Sequence, residues 1–236
     1  MMRGMAPRRV LITLGIDEAG RGPAIGPLVM AAVSLTTKAA AALTKAGLTD
    51  SKAFGAGPEA HERRMELAVK VREVATFVAH EVSPPAVIDE RVARGELNQL
   101  EREVATRLIE QSEVESTKAH RMIADGARMF APLCARFPTL VAMDRAEARH
   151  AAVAAASVIA KTIRDQLFAE ICARYAEEFG PIGGGGYVND PTRKFLRAYA
   201  ERYRCLPDEA RRSWPHPYVV DLIGDTRTAG PQLALL

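Results

Sequence analysis

The chain has 236 residues, 48% of them hydrophobic and 26% charged, with a formal net charge of +3. This length suits one large domain or one domain with an appendage, and the composition excludes both a disordered polyelectrolyte and a collagen-like fibre. The small positive charge permits a nucleic-acid partner without demanding one, and the odd set Cys134, Cys172 and Cys205 lacks metal-ligand spacing, which fits a reducing, cytoplasmic compartment.

Arg3, Arg8 and Arg9 precede an apolar run at 10–16 that ends in Asp17-Glu18. It is too short for a secretory segment and reads as a buried first strand. No stretch approaches the length of a membrane span, so no membrane partner is expected. A Gly-rich turn leads to a second strand at 28–35, and the pair reads as a hairpin. An Ala-rich helix at 39–46 is stopped by Gly47, and a second helix is predicted at 59–74. Residues 75–82 alternate as a strand, Pro84-Pro85 breaks the chain, and a helix resumes at 88–94. Leu100, Val104, Leu108 and Ile109 mark an amphipathic helix at 97–113.

Short apolar segments at 121–124 and 139–143 are predicted strands. A long helix follows at 151–179, with Val158, Ile159, Ile163, Leu167 and Ile171 as its buried stripe. Gly183 to Gly186 form a loop, a helix is predicted at 191–203, and another short one at 208–212. The sequence beyond Asp221 lacks periodicity and is expected to fray. Strands followed by alternating helices and strands give an α/β domain with a mixed central sheet flanked by helices, plus a small C-terminal helical appendage. The expected division is a sheet domain at 8–180, a helical region at 181–222 and a flexible tail at 223–236.

The run Gly15-Ile16-Asp17-Glu18-Ala19-Gly20-Arg21-Gly22-Pro23 carries the strongest chemical signal. Charged residues at the edge of a core pair with something or bind metal. Asp17 and Glu18 point to opposite faces of a strand unless the chain turns there. The glycines permit such a turn, and Arg21 adds a cation suited to phosphate. Carboxylates for metal beside donors for a phosphodiester suggest a metal-dependent nuclease. A solvated Asp-Glu turn remains open on local grounds. Asp125 also ends an apolar segment before a glycine, where a metal ligand and a simple turn residue are equally natural.

The nine-residue string resembles the signature of type 2 ribonuclease H (ribonuclease HII). Ala154-Ala155-Ala156-Ser157-Val158-Ile159-Ala160-Lys161 resembles the helix start that follows that family's fourth carboxylate. Counting back by the family interval reaches Glu147; Asp144, three residues upstream, is the alternative. The run Ala146-Glu147-Ala148-Arg149-His150 looks like type 3 ribonuclease H, which also uses Glu here. The resemblance covers about 10–214 and implies a ribonuclease H-like fold. It implies Asp17, Glu18, Asp125 and Glu147 as catalytic carboxylates holding two divalent ions, manganese or magnesium. Hard cations and oxygen ligands suit one another.

The same resemblance assigns substrate contacts. Gly20, Arg21 and Gly22 would bond the ribose 2′-hydroxyl, the group that separates RNA from DNA. Tyr187, in a Gly-Tyr element, would pack on the neighbouring sugar, a buried core tyrosine being the alternative. Lys52, in Asp50-Ser51-Lys52, is a candidate phosphate contact. Lys161 and Arg164, three apart on the long helix and away from its isoleucine stripe, are further candidates. Arg211-Arg212-Ser213-Trp214 could lay a cationic stripe along a duplex, although Pro215-His216-Pro217 departs from the usual continuation. The implied partners are RNA–DNA hybrids and duplex DNA with embedded ribonucleotides, cut to give 5′-phosphate and 3′-hydroxyl ends in ribonucleotide excision repair. The implied protein is a cytoplasmic monomer. The alternatives are a type 3-like enzyme that needs a run of ribonucleotides, and a non-catalytic hybrid-binding protein.

Overall fold

The computed structural model describes residues 11–48, 57–112 and 120–226. Five strands form one mixed sheet: β1 (Ile12–Ala19), β2 (Leu28–Thr36), β3 (Phe77–Ser83), β4 (His120–Asp125) and β5 (Leu140–Met143), in the order β3-β2-β1-β4-β5. β2 lies beside β1, and β1–β4 and β4–β5 pair in parallel. β2 is buried along nearly its whole length, which is why it reads as a continuous apolar run rather than an alternating one.

The first strand runs beyond its apolar stretch. It continues through Asp17, Glu18 and Ala19, so the two carboxylates stand in the strand and the turn comes after them. Apolar patterning stops where the side chains become polar, whereas the backbone ladder does not.

Eight α-helices complete the described residues: α1 (Thr37–Lys45), α2 (Pro58–Val74), α3 (Pro85–Ala93), α4 (Leu97–Gln111), α5 (Ala127–Phe130), α6 (Ala151–Phe179), α7 (Asp190–Tyr203) and α8 (Val220–Ile223). Their starts follow from capping chemistry. Thr36 Oγ1 accepts the Ala39 N–H at 3.1 Å and opens α1 two residues before its apolar run. Pro85 occupies the first turn of α3, where its missing N–H costs nothing, so this helix begins before the expected Ile88. Asn189 Oδ1 accepts the Thr192 N–H at 3.2 Å and opens α7.

Residues 208–212 do not form the expected helix. Ala210 instead makes an antiparallel bridge to Ile25, and Arg211 N–H donates to the Ala24 carbonyl at 2.8 Å. Their backbone hydrogen bonds go to a distant segment, which local propensity cannot register.

The described residues form two compact units, each assembled from three stretches. One takes the residues up to Glu18, Met30–Glu81 and Glu101–Thr162; the other takes Ala19–Val29, Val82–Leu100 and the residues from Ile163 on. Leu14, Ile16, Val33, Leu67, Ile123 and Val153 lie in the core of the first. The second closes around Ile25, Phe168, Phe195, Leu196 and Val219. Tyr175, Phe179, Phe195 and Tyr199 meet there in edge-on and tilted pairs at 5.2–6.4 Å, tying the end of α6 to α7.

Candidate active site

Parallel pairing of β1 with β4 places Ile16 opposite Ala124, so the next residues, Asp17 and Asp125, stand side by side. Asp125 Oδ1 accepts the Ala146 N–H at 3.0 Å. That bond tethers a 3₁₀ turn, Ala146–Ala148, to the end of β4. The chain enters the turn through Arg145 in the left-handed conformation (φ 56°, ψ 39°), an uncommon state for a residue with a side chain. The next two residues, Ala146 and Glu147, are then buried. Asp144 has the opposite fate: it is exposed, and its Oδ1 accepts the Ala127 N–H at 2.8 Å at the start of α5.

α6 follows immediately and meets β1 at backbone distance. A Cβ on Gly15 would lie 2.1 Å from the Ala152 carbonyl carbon and 2.2 Å from Val153 N. Only glycine admits this approach, which seats β1 on the first turn of α6. Ser157, further along α6 and itself buried, hydrogen-bonds the Asp17 carboxyl.

Asp17 is 6% exposed, and burial is the largest cause raising its pKa well above the usual carboxylate range. The neighbouring charges of Glu18 and then Asp125 push the same way; hydrogen bonds from Ser157 and the Glu18 backbone oppose them. Like charges gathered at low dielectric are the setting a divalent cation relieves. The charged side chains acting on Asp17 are carboxylates, whose oxygens would suit a hard ion such as magnesium or manganese. Among the described residues, no three His, Cys, Asp or Glu side chains are drawn together closely enough to hold a metal ion.

The second unit carries the Gly-Arg-Gly and Gly-Tyr elements. Tyr187 is 52% exposed, and a Cβ on Gly22 would sit 3.4 Å from its Cε1. An exposed aromatic face therefore lies against the Gly-Arg-Gly loop, although the two are far apart in sequence. The Gly186 carbonyl accepts the Ala24 and Ile25 N–H groups at 2.8 and 3.1 Å. Arg21 reaches Asn98 Oδ1 at 2.7 Å.

Two arginines stand elsewhere than expected. Arg164 does not lie on a solvated helix face: it is buried, donates to the Gly185 and Ile25 carbonyls, and stacks on Phe168 at 4.9 Å. Burial lowers its pKa, with Asp165 opposing. Arg211 does not join a cationic stripe: it is fully buried and bonds backbone carbonyls, so it offers no charge to a phosphate. Periodicity locates a face and cannot say that a neighbouring loop covers it. Lys161 is half-buried on α6, and Lys52 lies outside the described residues.

A ribonuclease HII family profile matches residues 14–216. The chain belongs to the ribonuclease HII family. The ribonuclease HII of Methanocella arvoryzae is 36% identical over 215 residues, covering 89% of this chain and 92% of that protein. The ribonuclease HII of Methanothermobacter thermautotrophicus is 38% identical over 205 residues, 85% of this chain and 95% of that one. Among solved structures, ribonuclease H2 from Pyrococcus horikoshii OT3 superposes with a TM-score of 0.72 at 27% identity, covering 93% of this chain and all (100%) of the other. The Archaeoglobus fulgidus RNase HII, solved as a complex with PCNA, gives 0.70 at 30% identity over 86% and 95% of the two chains. Bst-RNase HIII, solved with Mn2+, shares the fold alone: TM-score 0.69 at 19% identity, over 91% of this chain and 70% of that one. The chain is a metal-dependent endoribonuclease of ribonuclease H-like fold. No helix among its described residues is long and apolar enough to cross a membrane.

Proposed function

We propose that this enzyme hydrolyses RNA in RNA–DNA hybrids and incises duplex DNA on the 5′ side of an embedded ribonucleotide. Asp17, Glu18, Asp125 and Glu147 would hold two divalent ions, magnesium or manganese. The observation that carries this reading is the pairing of Asp17 with Asp125 at the ends of β1 and β4, with buried Glu147 tethered to Asp125 through the Ala146 N–H.

Bound there, the metals would supply an acidified water and neutralise charge at the leaving 3′ oxygen. The chain's own part is positional. Ser157 orients the Asp17 carboxyl, and the 3₁₀ turn fixes Glu147. Glu147 is favoured over Asp144 because it is buried in the turn that Asp125 tethers through the Ala146 N–H, whereas Asp144 is exposed and committed to the start of α5. The products would carry 5′-phosphate and 3′-hydroxyl ends, as ribonucleotide excision requires.

Recognition falls to Gly20, Arg21 and Gly22, whose backbone would bond the 2′-hydroxyl while Tyr187 packs on the adjoining sugar. The exposed Tyr187 ring over Gly22 supports that pairing. The test is a duplex DNA carrying one ribonucleotide, beside a hybrid with a run of them, each with magnesium or manganese. A cut 5′ to the single ribonucleotide is expected. Cleavage of the hybrid alone would replace this reading with the type 3 specificity, and metal-independent binding without cleavage would leave a hybrid-binding protein.

A further inference from the structure

Arg211 is the largest fully buried side chain, and a buried guanidinium must be compensated at nearly every donor. Its compensation comes from one loop. Nη2 donates to the Gly20 carbonyl, Nη1 to the Arg21 carbonyl at 2.8 Å and Nε to the Gly26 carbonyl at 3.0 Å. The Trp214 indole covers the guanidinium at 4.9 Å, and its Nε1 donates to the Gly22 carbonyl at 3.2 Å. Three consecutive carbonyls, those of Gly20, Arg21 and Gly22, are thus taken by one C-terminal segment.

That segment is itself fixed. Arg211 N–H bonds the Ala24 carbonyl at 2.8 Å, and His216 Nε2 bonds the Arg211 carbonyl at 2.8 Å. The Asp89 carboxylate accepts the Arg212 and Ser213 N–H groups at 2.8 and 2.9 Å. Burial and the Arg164 charge lower the Arg211 pKa to about 10, so the side chain stays a cation at neutral pH.

In a planar trans peptide the N–H points opposite to the preceding C=O. No cis peptide occurs here. A donor fork that pulls the Gly20 and Arg21 carbonyls to one side therefore turns the Arg21 and Gly22 N–H groups to the other. The next residue, Pro23, has no N–H and ends this pair of peptide planes.

We propose that Arg211 is a positioning residue for ribonucleotide recognition: its fork fixes the two peptide planes whose N–H groups bond the 2′-hydroxyl. This rests on the reading of Gly20 to Gly22 given above and deepens it. Lysine keeps the charge but is a point donor, unable to span two carbonyls at fixed spacing.

The test compares binding to two DNA duplexes that differ by a single 2′-hydroxyl, read by fluorescence anisotropy in an Asp125→Asn background that holds cleavage off. The Arg211 parent should prefer the ribonucleotide duplex by about tenfold, the order one well-made hydrogen bond supplies. Arg211→Lys should erase that preference while leaving affinity for the all-DNA duplex unchanged. Trp214→Leu, which keeps the buried charge but uncovers the Arg211 guanidinium, should loosen the fork and reduce the preference several-fold, and it serves if Arg211→Lys does not fold. A preference retained in these variants overturns the role of Arg211 alone and leaves it an anchor of the C-terminal segment. No preference in the parent overturns the reading of the loop itself, and the role of Arg211 with it.

Discussion

Replacing Gly15 with alanine probes how closely the site depends on the contact between β1 and α6. The added methyl would lie 2.1–2.3 Å from the backbone of Ala152 and Val153, where ordinary contacts begin at 3.4 Å. Those atoms belong to a helix and not to a flexible side chain, so strand and helix must part by about 1 Å. Overpacking of this kind costs about 1–3 kcal/mol, against which alanine recovers about 0.4–1 kcal/mol of unfolded-state entropy. The balance, a net loss of about 1 kcal/mol, corresponds to a fall in Tm of about 2–4 °C for a chain this size. α6 directly follows the Glu147 turn and carries Ser157, so an Ångström of separation should also lower kcat by about 100-fold. Thermal unfolding and single-turnover cleavage measure the two effects separately. Gly183→Ala is the control for stability: its Cβ would meet only Pro191 at 3.7 Å, and its φ of −108° suits any residue. A Gly15→Ala protein with unchanged Tm and kcat would refute the reasoning.

Three further outcomes follow from particular contacts. Glu147→Ala should reduce cleavage at least about 100-fold, whereas Asp144→Ala should keep it and lose about 1 kcal/mol of stability with the α5 contact; activity in both variants would exclude either as the fourth ligand. Asp17 has a raised pKa in the fold, so its ionisation destabilises the metal-free protein as pH rises above the ordinary 3.8. Asp17→Asn should therefore be more stable than the parent at neutral pH without metal, the gap closing toward pH 4, and it should be inactive; thermal scans with chelator check the sign. Burial lowers the His216 pKa below 6.5, with the Arg211 carbonyl and Asp89 opposing, so the neutral ring contributes stability above that pH that is lost as pH falls through the folded-state value. Against His216→Gln, the parent should lose stability faster below about pH 6.5; parallel pH profiles would show that His216 is not the cause.

Much of the fold was legible because its signals are local. The long helix falls at Ala151–Phe179 as expected, although within its apolar stripe Ile163 and Leu167 are only half-buried, and α4 buries Leu100, Val104, Leu108 and Ile109. The boundaries that differ lie where polar chemistry interrupts the pattern, at Asp17-Glu18 in β1 and at Pro85 in α3. The carboxylates could be nominated because charge at a strand end conflicts with burial. That Asp144 faces α5 while Glu147 turns inward depends on a left-handed Arg145, for which no local residue pattern gives warning. The arginines were the hardest to place. Arg164 and Arg211 look like phosphate contacts in sequence, and their carbonyl partners are contributed by segments on average more than a hundred residues away. The role of His216 was hidden likewise, since its bond to the Arg211 carbonyl depends on where that arginine is held.

The claim on which the rest depends is that the carboxylates around Asp17 form the metal site. A calorimetric titration of manganese into the protein tests it most directly, with the Asp17→Asn, Asp125→Asn double variant alongside. Saturable binding to the parent that disappears in the variant, while the variant stays folded, is the expected result. Equal binding by both proteins would place the metal elsewhere and contradict the assignment of Asp17, Glu18, Asp125 and Glu147.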